Sequence, residues 1–198
     1  MKNQIIIFVL CGLVAGLAGP GEAVILHVSR DGSQTPPYDS WENAFSNLNA
    51  AVLAAQDDDK VWVSNGTYKL TGDLILTNRV VVESLSGCSN TFLDANKAGR
   101  HFQISNSSAV VDGFTMTNGN ASVEGGSVRM AAGCLRNCVI ANNNVSGSGG
   151  GVYMTGGTVS NCWIAQNTAP SWAVNGGGVY AAGDARVDSC SIVSNGPV

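Results

Sequence analysis

The sequence predicts an all-β fold, a parallel solenoid of stacked coils, on three observations. The phrase CVIANN at residues 138–143 returns as CWIAQN at 162–167 and as CSIVSN at 190–195. A second phrase keeps the same beat: GGSVRM at 125–130, GGGVYM at 149–154 and GGGVYA at 176–181. The apolar residues are Val, Ile, Met and Cys in short runs between Gly and Asn, which are strand residues punctuated by turn residues. A unit of this length cannot bury its own apolar face and must stack on copies of itself. Leucine-rich repeats share the period, but this segment lacks their ladder of leucines.

The elements follow in chain order. Residues 1–23 combine Lys2, an apolar run over 5–17, a Gly-Pro break and Ala23, the pattern of a secretory signal peptide cleaved close to Ala23, so that the mature chain starts near Val24. The run is short for a membrane span, no later stretch could cross a bilayer as a helix, and Leu10 before Cys11 argues against a lipid anchor. Residues 24–60 are expected to hold a strand and an amphipathic capping helix. In SWENAFSNLNAAVLAAQ, Trp41, Phe45, Leu48 and Val52 have helical spacing and Ser40 is a candidate N-cap. Such a helix would cover the open first rung.

Residues 61–198 are read as coils. Strand-like pieces at 61–63, 74–76, 80–83, 91–93 and 102–104 give two or three irregular coils. Beyond them, Val110, Leu135, Val159 and Val187 stand three places before Gly113, Cys138, Cys162 and Cys190, with steps of 25, 24 and 28 residues. Asn118, Asn143, Asn167 and Asn195 stand five places after. Period-two alternation points Val152, Met154, Val159, Cys162 and Ile164 inward. Their equivalents are Val128, Met130, Leu135, Cys138 and Ile140 one coil earlier, and Val179, Ala181, Val187, Cys190 and Ile192 one coil later. The asparagines read as turn residues tolerant of the left-handed conformation, and the glycine runs as recurrent tight corners rather than phosphate loops.

Composition narrows the function. The 198 residues carry a formal charge of −4, with 44% hydrophobic and 12% charged residues, which argues against disorder and against nucleic acid as a partner. Only His27 and His101 offer imidazole. Beyond the signal segment remain Cys88, Cys134, Cys138, Cys162 and Cys190, an odd number. Three belong to the repeat and read as a buried ladder of thiols, with a disulfide as the competing reading. A linear ladder does not supply the tetrahedral convergence of a zinc site.

The opening segment HVSRDGSQTPPYDSWENAFSNLNAAVLAAQDDDKVWVSNGTY, with Trp41 and the turn Gly66-Thr67-Tyr68, resembles the start of secreted bacterial right-handed parallel β-helix proteins of the pectin-lyase-like superfamily. The later coils are similar to the repeats of chlamydial polymorphic outer membrane proteins, although Ile140, Ile164 and Ile192 stand where that repeat has Phe. The resemblance implies a right-handed β-helix over nearly all of 24–198. It does not select a function, because the fold hosts lyases, hydrolases, adhesins and display scaffolds.

Enzymes of that superfamily use acidic calcium ligands with a basic residue, or a cluster of aspartates. Here Asp112, Glu124, Asp184 and Asp188 are sparse, and Asp57, Asp58 and Asp59 read as a solvated turn. Arg129 and Arg136 have no evident carboxylate partner, so no catalytic residue, metal ligand or cofactor site is assigned. Arg129, Tyr153 and Tyr180 share one outward register, Trp163 points outward between Cys162 and Ile164, and Trp172 lies in the lengthened TAPSWAVN loop. These five are the candidate glycan contacts, with packing against that loop or another domain as the competing explanation. The expected function is an extracellular or cell-surface scaffold of adhesin type that meets polysaccharide. The alternative is a polysaccharide lyase or hydrolase whose catalytic coils lie downstream, and paired carboxylates on adjacent rungs would favour it. Three residues follow Asn195, so the last coil is expected to be unprotected, the chain a truncated piece, and end-to-end self-association to occur through that coil.

Overall fold

The computed structural model describes residues 22–171 and 176–197; residues 1–21 of the predicted signal segment, and Trp172, lie outside them. The chain is a parallel β-solenoid. β1 (Ile25–Val28) and the helix α1 (Leu48–Ala54) precede the first coil, made of β2 (Lys60–Val63), β3 (Gly66–Lys69) and β4 (Leu74–Leu76). The next holds β5 (Val81–Ser84), β6 (Thr91–Asp94) and β7 (Phe102–Ile104). From β8 (Val110–Asp112) and β9 (Thr115–Thr117) onward each coil gains a short fourth strand, first β10 (Asn120–Ala121), before closing on β11 (Val128–Met130). β12 (Cys134–Arg136), β13 (Val139–Ala141), β14 (Asn144–Val145) and β15 (Val152–Met154) repeat the pattern. So do β16 (Thr158–Ser160), β17 (Trp163–Ala165), β18 (Thr168–Ala169) and β19 (Val179–Ala181). β20 (Arg186–Asp188), β21 (Ser191–Val193) and β22 (Gly196–Pro197) complete the series.

The strands form four parallel sheets: β1-β2-β5-β8-β12-β16-β20, β3-β6-β9-β13-β17-β21, β4-β7-β11-β15-β19 and β10-β14-β18-β22. Register follows the repeat. Val128, Val152 and Val179 stack, as do Met130, Met154 and Ala181; Leu135, Val159 and Val187; and Ile140, Ile164 and Ile192. The first two members of each set are fully buried. In the last coil Val187 is 39% and Ile192 45% exposed, because among the described residues no rung lies on their far side. Each full burial of such a side chain contributes about 1.5–3 kcal/mol, so the core is strongest in the middle coils. Cys138 and Cys162 lie inside as buried free thiols, while Cys190 is half-buried.

Three expectations are corrected by the backbone. Cys134 pairs with Val110 and Leu135 with Val111, so the first step is 24 residues and buried Phe114, not Gly113, holds the position of Cys138. Gly113 instead shares a left-handed corner with Asn137, Asn161 and Ser189, at φ 82°, 55°, 49° and 52°. Of the repeated asparagines only Asn118 is left-handed, at φ 61°; Asn143, Asn167 and Asn195 are not. In these three later coils positive φ falls one place earlier, at Asn142, Gln166 and Ser194, while Asn143 and Asn167 are buried. Their side chains form a ladder: Asn143 Oδ1 accepts from the Gly119 amide at 2.7 Å, and Asn167 Oδ1 from the Asn143 amide and Nδ2 at 3.1 and 2.9 Å. Asn195 Oδ1 accepts from the Asn167 amide and Nδ2 at 3.0 and 2.9 Å. Gly119 therefore replaces Asn118 at the ladder's first position. The glycine corners are tight by necessity, since a Cβ at Gly150 would lie 2.1 Å from the Gly177 carbonyl oxygen.

The helix is shorter than its periodicity suggests. It begins at Leu48 with Asn47 as N-cap, whose Oδ1 accepts from the amides of Asn49 and Ala50 at 2.8 and 3.3 Å. Residues 38–45 are diverted to the outer edge of β1, where the His27 amide donates to Tyr38 O and the Phe45 amide to His27 O, both at 2.9 Å. Pairing with that edge overrides the helical spacing of Trp41 and Phe45, and Ser40 Oγ serves only to accept from the Asn43 amide within the turn. α1 packs against β1, β2 and β4.

Candidate functional site

The sheet β4-β7-β11-β15-β19 carries the predicted outward residues. Register places Ile75, Gln103, Arg129, Tyr153 and Tyr180 in one column, one per rung. Tyr153 and Tyr180 stack with ring centroids 4.7 Å apart and planes inclined by 14°. In-register stacking turns the two rings toward each other and leaves their edges and hydroxyls for a ligand. Arg129, expected to be unpaired, donates from Nε to Glu124 Oε2 at 2.8 Å. This guanidinium holds the Glu124 carboxyl below its ordinary range, whereas partial burial and then the Glu124 carboxylate hold the Tyr153 phenol above its own. Toward the N-terminal end, Gln103 Nε2 donates to Asp73 Oδ2 at 2.7 Å and Arg100 lies 3.1 Å from the same oxygen. The face thus runs from exposed Ile75 through the Gln103 amide and the Arg129 guanidinium to two stacked phenols.

Trp163 does not join this face. It lies on β17, in a column with Thr115, Val139 and Ser191 on another sheet, and is 56% exposed. Trp172 lies outside the described residues.

A polar column that the sequence reading missed runs along the sheet from β1 to β20: His27, Trp62, Glu83, Asp112, Arg136, Ser160 and Asp188. Glu83 and Asp112 occupy adjacent rungs. The signal was present as VVES at 81–84 and VVDG at 110–113, hidden by a step of 29 residues. Trp62 Nε1 donates to Glu83 Oε1. Asp112 accepts from Arg136 Nε at 2.7 Å and Asn137 Nδ2 at 2.6 Å, one on each oxygen, which corrects the expectation that Arg136 is unpaired. The Asp112 bond also raises the Arg136 pKa further. Both oxygens of Asp112 are therefore committed to fixed donors, an arrangement suited to holding charge rather than to moving a proton. Asp59 also departs from the solvated turn expected: it is buried and accepts from the Val24 and Gln56 amides at 2.9 and 2.7 Å.

Among the described residues no three His, Cys, Asp or Glu side chains gather as metal ligands would, and no helix is long and apolar enough to cross a membrane. In comparisons with protein-family models, with curated proteins and with solved structures, the chain matches none.

Proposed function

We propose that this chain is an exported, cell-surface or extracellular β-helical scaffold of adhesin type, akin to the right-handed pectin-lyase-like proteins, which presents the Gln103–Arg129–Tyr153–Tyr180 face to glycan. The observation that carries the reading is the stacked tyrosine pair continuous with the Arg129–Glu124 ion pair on a rigid sheet. Phenol and guanidinium donors at a spacing of about 4.8 Å per rung suit the hydroxyls of an extended sugar chain. Trp163, on its separate face, would be a second contact region, and α1 with the 38–45 segment would serve as the N-terminal cap. No cofactor enters.

The test is retention of the purified protein on a panel of insoluble and soluble polysaccharides. Retention of the native chain on at least one, reduced roughly tenfold in a Y153A/Y180A double variant of unchanged thermal stability, is the expected result; a loss of that size corresponds to about 1.4 kcal/mol. Equal retention of variant and native chain would remove this face from the site. The adjacency of Glu83 and Asp112 favours a second reading as a polysaccharide-cleaving enzyme. It expects reducing ends to appear in the same incubations, and their release to be abolished in E83Q.

A further inference from the structure

We infer that the pocket between the N-terminal cap and the first coil binds a tetrahedral oxyanion, the sulfate or phosphate ester of a sugar whose ring reaches Phe92. The pocket has a volume of about 420 Å³, inside the range of small-molecule sites, roughly 300–1,000 Å³. Its walls come from three segments: Arg30 after β1, Ser46 and Asn47 before α1, and Thr67 and Lys69 of β3. Buried Leu48 and Tyr68 form its floor. The chain is acidic overall, at −4, yet this pocket is lined by two cations and by no carboxylate.

The two cations are not spent on the protein. Arg79, Arg100, Arg129 and Arg136 each pair with a carboxylate, whereas among the described residues Arg30 and Lys69 belong to no ion pair. Asp94, opposite Lys69 on the next rung, turns its Oδ1 to the Asn96 amide and Asn118 Nδ2, at 2.8 and 2.9 Å. The Arg30 stem can lie against β3 because Gly66 has no side chain, since a Cβ there would stand 2.9 Å from Arg30 Cδ. The helix adds nothing to the attraction, because Asn47 Oδ1 already accepts from the Asn49 and Ala50 amides. The pocket's donors are therefore side chains: a guanidinium, an ammonium, the Ser46 and Thr67 hydroxyls and Asn47 Nδ2. A carboxylate offers such donors two oxygens and a sulfate or phosphate ester three, so the tetrahedral group satisfies more of them. Phe92 points to the carrier. It is the register partner of Thr67 on the next rung and is 39% exposed, an apolar face beside the pocket on which a sugar ring can lie. The sugar half of this inference rests on the proposed glycan reading; the anion half rests on the pocket alone, on a different sheet from the tyrosine pair.

The test is an amide-resolved NMR titration of the purified, isotope-labelled chain at low salt, where exposed cations are least screened. The probes are the sulfate and phosphate monoesters of glucose, inorganic sulfate and glucose itself, each repeated on R30Q/K69Q and Y153A/Y180A. At least one ester is expected to shift the amides of residues 46–48 and 67–69 saturably and to bind more tightly than inorganic sulfate, while glucose leaves them unmoved. R30Q/K69Q is expected to weaken that binding by roughly tenfold or more with the other amide signals in place, and Y153A/Y180A to leave it unchanged. The ester that binds identifies the anion. No saturable shift at these amides, an equal response to glucose, esters no tighter than inorganic sulfate, undiminished binding in R30Q/K69Q, or binding lost in Y153A/Y180A would each overturn the inference. Because the two double variants lie on different sheets, failure of this pocket and failure of the tyrosine face are read separately.

Discussion

Burial decides the charge of His101. Its Nε2 faces the carbonyls of Leu93 and Thr117, each at 3.0 Å, and its Nδ1 lies 2.9 Å from Ser127 Oγ. Two acceptors on one side fix the proton on Nε2, and the serine hydroxyl donates to Nδ1. Desolvation lowers the pKa from 6.5 to about 4 against the pull of the two carbonyls. Because the unfolded chain takes up the proton first, stability is lost as pH falls from 6.5 to about 4, by about 3 kcal/mol at most. Urea unfolding at pH 7 and pH 4.5 is expected to show that loss in the native chain and a smaller one in H101Q; equal losses would assign the pH dependence to other groups. Asn167 works by satisfaction rather than by charge. Its Nδ2 donates to Ile140 O and Asn195 Oδ1, and its Oδ1 accepts from Asn143. Replacing it by Ala leaves partners on the two flanking coils unsatisfied and is expected to cost about 2–4 kcal/mol. N167D should cost more, because it sets a buried carboxylate against the acceptors Ile140 O and Asn195 Oδ1, where Ala only removes the donor. Denaturation midpoints that rank N167D above N167A would contradict this.

At the scale of the element, what was legible depended on whether a strand's fate was set by its own alternation or by its neighbours. β4 and β7 stand where the short apolar runs placed them, and the inward sets of the 128–154 region are all buried. The short strands β10, β14 and β18 carried no such signal, since two residues cannot show a period. α1 was misplaced because residues 38–45 answer to the edge of β1, a tertiary demand that helical spacing cannot register. The cysteine ladder was legible in position but not in accessibility. Burial pushes the Cys138 thiol well above its ordinary pKa, whereas Cys190 is only half-buried. In dilute native protein, Cys190 is therefore expected to react with iodoacetamide at least roughly tenfold faster than Cys138 and Cys162. Mass spectrometry of the labelled peptides checks this, and equal protection of all three, or a disulfide between two, would contradict this difference in burial.

At the scale of the whole molecule, stacking was legible because two phrases kept one beat, whereas the outer faces were not. Inward positions must repeat to fill a shared core, so their pattern survives in the sequence; outward positions are free to differ from rung to rung. That freedom concealed the Glu83–Asp112 pair and the partners of Arg129 and Arg136, which only the register brings together. The asparagine ladder carries the last consequence. Asn143 and Asn167 each accept from the rung before and donate to the rung after, and nothing in that handover refers to how many rungs there are. Residues 138–161 form one complete 24-residue turn of the handover, from one buried cysteine to the next. Gain or loss of that block by recombination would leave every bond type intact and change only the distance between the two ends, by about 4.8 Å for each copy. The fold is in this sense a ruler whose length can be inherited independently of its cross-section.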